Sequence, residues 1–121
     1  MILVDTSVWV DHLRKGDEEL AALLQTDEVA CHPFVIGELA CGNIRNRTEL
    51  LKLLSALPQL PKAQDVEVIE FISRHRLMGK GLGLIDVHLL ASCALARAGL
   101  WTRDRKLSKA ASGLGLGQGP K

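Results

Sequence analysis

The stretch that decides the fold is Ile2–Ser7, ILVDTS. Three apolar residues, two of them β-branched, run straight into a carboxylate and two hydroxyls. A run this short and this apolar reads as a strand buried on both faces, which is the habit of parallel sheets. The question it leaves is what Asp5 does. It either caps the helix that follows or holds a negative charge at the mouth of the sheet.

Outward from there the chain alternates. A helical pattern covers about Ser7–Leu24, broken near Gly16, and Glu28–His32 is a second short strand. Pro33 opens a helix at its favoured first position and runs to about Cys41, with Gly42 as the stop. Thr48–Leu54 is a further helix, with Thr48 as its cap. LPQLP, Leu57–Pro61, holds two prolines, so it is a loop or a sheet edge. Gln64–Met78 is amphipathic, with Val66, Ile69, Phe71 and Ile72 on or near one face. GKGLG, Gly79–Gly83, breaks the chain before Leu84–Ala98, which is apolar on nearly every side and therefore a central buried helix. Gly99 ends it, Leu100–Thr102 is a third strand, and Arg103–Ala111 is a basic helix. The tail adds a short edge strand at Leu114–Leu116 and is flexible from about residue 117. Strands alternating with helices, without a repeat or a linker, indicate one α/β domain over residues 1–121 with a parallel sheet.

Bulk composition narrows the class. With 47% hydrophobic and 24% charged residues the chain is ordinary for a globular protein, and no apolar run reaches membrane-spanning length. Asp5 and Asp11 fall where the apolar core of a signal peptide belongs, so a cytosolic protein is expected. Three cysteines, Cys31, Cys41 and Cys93, lack CxxC spacing and read as reduced, mostly buried thiols. A zinc site from Cys31, His32 and Cys41 lacks a fourth ligand at the usual spacing. The net charge of +1 hides an asymmetry. Residues 1–30 carry seven acids against Arg14 and Lys15, and residues 97–121 carry six bases against Asp104, which permits a polyanionic partner at one end.

In an open parallel sheet the carboxyl ends of the strands share one rim with the amino ends of the following helices, and ligands bind there. Asp5 ends the first strand. Glu38 sits in the second turn of the helix after the second strand, Asp86 in the first turn of the buried helix, and Asp104 just after the third strand. All four are directed to one rim. Glu38 and Asp86 lie among apolar neighbours on helices expected to be largely buried, and an unpaired buried carboxylate costs several kcal/mol. Crowded carboxylates cannot all stay ionised unless a cation completes the set. Oxygen-only ligation selects Mg²⁺ or Mn²⁺, and such clusters commonly act on phosphate esters. Thr6, Ser7 and Thr102 are supporting hydroxyls, with an N-cap the leading role for Ser7. Arg103 and Arg105 bracket Asp104 and are the first candidates to meet substrate phosphates (RNA-binding residues, if the substrate is the RNA implied by the resemblance below), followed by Lys106, Lys109, Arg74, Arg76 and Lys80. There is no Tyr, and Trp9, Phe34, Phe71 and Trp101 read as core. His12, His32, His75 and His88 read as structural or surface residues.

ILVDTSVWVDHLR, the glutamate of IGELACG, GLGLIDVHLLASCAL and LWTRDRKL, in this order, resemble the PIN-domain family, and within it the VapC-type toxins. The resemblance covers essentially the whole chain. It implies an α/β/α sandwich with a short parallel sheet and a Mg²⁺- or Mn²⁺-dependent endoribonuclease. The family's acidic set falls on Asp5, Glu38, Asp86 and Asp104, with Asp5 and Asp86 as the firmest metal ligands. Glu38 and Asp104 would bind a second ion, hold waters or serve as general base. The resemblance also implies a homodimer and a VapB-like antitoxin, which lays an extended segment across the active-site groove and carries the contact to operator DNA. Two other classes fit α/β domains of this length. A phospho-acceptor signalling module needs paired acids after the first strand, where VDTS supplies one. A non-catalytic binding domain has no need of four converging carboxylates.

Overall fold

The computed structural model describes residues 1–117. Ten elements alternate as the pattern requires: β1 Ile2–Val4, α1 Thr6–Lys15, α2 Glu18–Gln25, β2 Val29–Ala30, α3 Pro33–Ala40, α4 Arg47–Ala56, α5 Asp65–His75, α6 Leu84–Ala96, β3 Gly99–Trp101 and α7 Arg105–Gly113. The sheet is parallel with order β2-β1-β3. Leu3 faces Ala30 on one side and Leu100 on the other, which fixes the register. Successive strand residues point to opposite faces. Leu3 and Val4 are both buried, as are Val29 with Ala30 and Gly99 through Trp101, so helices must cover both faces of the sheet. This is the expected three-layer α/β/α arrangement.

Irregular pairing extends both edges. Cys31 bridges Gln59 in parallel, which makes LPQLP a sheet edge. At the other edge Leu100 bridges Gly117 and its N–H donates to Leu116 O at 2.7 Å. The expected strand at Leu114–Leu116 is displaced towards Gly117, because α7 continues to Gly113 and Leu114 closes it. The expected mobility beyond residue 117 lies outside the described residues.

Helix ends show where local chemistry ruled. Gly16, at φ 75°, separates α1 from α2, and Asp17 Oδ1 accepts from Leu20 N at 3.0 Å to cap α2. Pro33 stands at the first position of α3, and His32 Nδ1 accepts from Phe34 N at 3.0 Å. Three expectations need correction. Thr48 is not the cap of α4; Asn46 holds that position in the left-handed region, at φ 56°. Gly99 does not end α6; Arg97, left-handed at φ 54°, ends it, and Gly99 begins β3. On α5 the apolar face is split: Val68 is buried, Phe71 and Ile72 are partly buried, but Val66 and Ile69 face solvent.

The core gathers around α6, where Val87 through Cys93 are all buried. Trp9 and Trp101 belong to it, while Phe34 and Phe71 are partly buried. Cys31 and Cys93 are buried free thiols, pushed up to about 11 and about 12 by burial, and Cys41 is exposed. His32 and His88 are buried, as their structural reading requires. Among the described residues no helix is long and apolar enough to cross a membrane.

Candidate active site

Asp5 leaves β1 with its N–H donating to Trp101 O at 2.9 Å, so the last rung of the ladder sets it beside Thr102. It occupies the N-cap position of α1 but makes no side-chain cap bond. Its carboxylate is spent otherwise. Thr102 Oγ1 donates to Asp5 Oδ2 at 2.7 Å, and Ser7 Oγ donates to the same oxygen at 3.0 Å. A carboxylate only accepts, so both hydroxyl protons go to it, and the 3.3 Å contact between Ser7 Oγ and Thr102 Oγ1 has none left. The hydroxyls accept in turn: Ser7 Oγ from Arg103 N at 3.0 Å, Thr102 Oγ1 from Asp104 N at 3.1 Å. Ser7 is therefore not the cap it was expected to be. Asp5 is buried, and among the described residues its Oδ1 has no hydrogen-bond partner.

The other acids stand around it. Thr6 Oγ1 donates to Glu38 Oε1 at 2.8 Å, tying α3 to the residue beside Asp5. Glu38 was expected on a largely buried helix. It is exposed, because α3 turns Val35 and Leu39 inward. Asp86 is half-buried, and its Oδ2 accepts from Gly83 N at 2.9 Å. Burial pushes the Asp86 carboxyl above its ordinary value. The Gly83 N–H opposes that shift, and the negative charges of Asp104 and Asp5 add to it. Asp86 thus feels both Asp5 and Asp104, although the three are spread over the whole chain. Asp104 is exposed and its Oδ1 caps α7 through Leu107 N at 3.0 Å.

Among the described residues none of Asp5, Glu38, Asp86 and Asp104 forms a salt bridge. The nearby guanidinium is committed elsewhere. Arg103 Nε meets Asp11 Oδ2 at 2.7 Å and its Nη2 meets Asp17 Oδ2 at 2.6 Å. The bond from Leu20 N and the Arg103 charge hold the Asp17 carboxyl below its ordinary value, against the cost of burial. Arg103 was expected to face RNA; its guanidinium instead pins the β3–α7 turn, and with it Thr102 and Asp104, to α1 and α2. Arg105 is exposed on the first turn of α7. Asp11 and Asp17 had no signal of this role in the sequence, where they count only among the seven acids of residues 1–30.

The donor set suits a hard cation by chemistry, since it is all oxygen and uncompensated. Among the described residues no three His, Cys, Asp or Glu side chains stand close enough to close on one ion. That also removes a zinc site at Cys31, His32 and Cys41. Two carboxylates completed by water are the usual protein share of a Mg²⁺ site, so the donor chemistry of Asp5 and Asp86 suits that ion.

A family profile described as "PIN domain" matches residues 2–113. The chain is 50% identical over 117 residues to a protein named Ribonuclease VapC32 from Mycobacterium tuberculosis, covering 96% of this chain and 94% of that one. Among solved structures, a toxin-antitoxin complex from Klebsiella pneumoniae superposes with a TM-score of 0.64 at 22% identity, over 86% of this chain and 87% of that one. The protein PAE2754 from Pyrobaculum aerophilum superposes with a TM-score of 0.66 at 19% identity, over 93% and 85%. With a parallel three-stranded sheet between helices and a profile match over nearly its whole length, this chain belongs to the PIN-domain family.

Proposed function

We propose that this protein is a divalent-metal-dependent endoribonuclease and the toxin half of a toxin–antitoxin pair, acting in the cytoplasm. The half-identity to a ribonuclease over 96% of the chain supports the activity. The observation that carries the chemistry is the carboxyl of Asp86, raised by burial and by the charges of Asp104 and Asp5, with no lysine or arginine among the described residues bonded to any of the three. A doubly positive ion there would offset the repulsion that raises Asp86.

In this reading Asp5 and Asp86 hold Mg²⁺ or Mn²⁺. When bound, the ion lowers the pKa of water and offsets charge on the phosphate oxygens. The protein's own groups do the rest. Thr102 and Ser7 fix the rotamer of Asp5 by loading one oxygen with both protons, which leaves Oδ1 for the ion. Gly83 N does the same for Asp86. Glu38, oriented by Thr6, and Asp104, oriented by Leu107 N, hold waters or a second ion at the exposed rim and accept a proton there. Arg105 meets an RNA phosphate.

The partner is a VapB-like antitoxin, with operator DNA contacted only through it, and the toxin is a homodimer. What supports a protein partner is uncovered apolar surface. Val10, Leu13 and Leu53 are each more than two-fifths exposed, and Leu13, Ile44, Leu50 and Leu53 line a groove of about 320 Å³. The test is cleavage of RNA by the purified chain. Cleavage with Mg²⁺ or Mn²⁺ that stops with EDTA and is lost in Asp5→Asn is expected. Cleavage that survives EDTA, or an active Asp5→Asn, contradicts the reading.

A further inference from the structure

A second charged feature lies beside the acidic pocket and has no part in it. Lys80, Lys106 and Lys109 line one groove of about 490 Å³, with Leu77, Ala110 and Leu114 among its apolar walls. The lysines come from separate segments. Lys80 belongs to the loop before α6, while Lys106 and Lys109 stand three residues apart on α7 and so share a face. The opposite face of α7 buries Leu107 and Ala111, which fixes its rotation. No acid lines the groove, and among the described residues no lysine is in a salt bridge. Three ammonium groups thus face one concavity without counter-charge.

The loop is shaped around one of them. Gly81 has φ +76°, and a Cβ there would stand 2.8 Å from Lys106 Cδ and 2.9 Å from Nζ. Both walls also run directly into the acidic rim. Asp86 lies six residues after Lys80, and Asp104 two residues before Lys106. The groove's two walls are thus continuous in the chain with the segments that carry Asp86 and Asp104.

We propose that the groove between the Gly79–Gly83 loop and α7 is a phosphate subsite for the single-stranded RNA flanking the cleaved bond. It rests on the ribonuclease reading. The lysines supply affinity without sequence preference, as backbone contacts do. Among the described residues His75 is the groove's single aromatic ring against three lysines, so phosphate contacts carry most of the binding.

The test compares the intact protein with the triple variant Lys80→Ala, Lys106→Ala, Lys109→Ala on RNAs of about 20 and about 4 nucleotides. On the long RNA, KM is expected to rise about tenfold at physiological salt with kcat unchanged. The slope of log KM against log salt is expected to fall by about 2, from three contacts at about 0.7 each on a single strand. The short RNA is expected to be cut equally by both. Gly81→Ala is expected to act in the same direction by displacing Lys106. Unchanged KM and slope on the long RNA, or an equal loss on both RNAs, would overturn the subsite. So would a triple variant that binds RNA normally but escapes a partner protein, since the groove then receives an acidic polypeptide. Binding of the long RNA in EDTA separates the two readings. Lysine-dependent binding without cleavage under any metal refutes the ribonuclease and keeps the groove; cleavage with lysine-independent binding refutes the groove.

Discussion

Asp5 shows how little of a site is visible one residue at a time. As a carboxylate after a buried strand it has two roles in the sequence, and the structure separates them by where its oxygens point. It sits at the N-cap position yet gives no oxygen to the helix, and it takes both protons of Ser7 and Thr102. Position on the strand was legible, because ILV can only be a buried strand here. The partnership with Thr102 was not, since it depends on register across 97 positions of chain. Glu38 failed in the opposite way. Its apolar neighbours imply burial, but a helix turns 100° per residue, and Val35 and Leu39 take the inward face. Removing a residue that only orients a ligand carboxylate typically costs 10–100-fold. Thr102→Val is therefore expected to lower kcat for RNA cleavage by about 10–100-fold while leaving the circular dichroism spectrum unchanged.

At the scale of the element, the strands and most helix bodies follow from apolar spacing, and the ends follow from local chemistry. Gly16, Asp17 and Pro33 act as their types dictate. Two of the misplaced helix ends involve a left-handed residue that is not glycine. Asn46 starts α4 at φ 56°, while Arg76 and Arg97 end α5 and α6 at φ 54°, where sequence patterns look for glycine. Arg97 is exposed and carries this conformation at the end of the central helix. Arg97→Gly is expected to stabilise the protein by about 1 kcal/mol in urea unfolding, by removing the left-handed penalty. The split face of α5 has no local signal either. Val66 and Ile69 keep helical spacing with the residues that do pack, so only tertiary contact tells them apart.

At the scale of the whole molecule, two buried histidines join the layers. His32 ends the β2 segment and its Nε2 lies 2.9 Å from Ser92 Oγ on α6; its ring and that of His88 both flank Phe34. Burial holds His32 down to about 4, with His88 and Lys62 acting the same way. A base depressed in the folded state is protonated first in the unfolded chain, whose His titrates near 6.5. Stability is therefore complete above pH 6.5 and falls as pH drops towards 4, by at most about 3 kcal/mol. Urea unfolding across that range is expected to show the loss, and His32→Asn, which keeps a capping acceptor, is expected to flatten it. The α/β class and its parallel sheet were readable from strand and helix order, and the three-layer arrangement only from the resemblance to the PIN-domain family. The traffic of charge across it was not: Arg103 is drawn away from the substrate rim by Asp11 and Asp17, and that pairing exists only once α1, α2 and β3 are assembled.

The central claim is that the carboxylate pocket is strained until a divalent cation enters it. The direct measurement is thermal unfolding of the native chain and of Asp86→Asn, each in EDTA and with Mn²⁺. The account predicts that Asp86→Asn melts higher than the native chain in EDTA, because a raised carboxyl is a destabilising charge at neutral pH. It also predicts that Mn²⁺ raises the native melting temperature and leaves that of Asp86→Asn nearly unmoved. An Asp86→Asn that melts lower in EDTA, or that responds to Mn²⁺ as fully as the native chain, would contradict it.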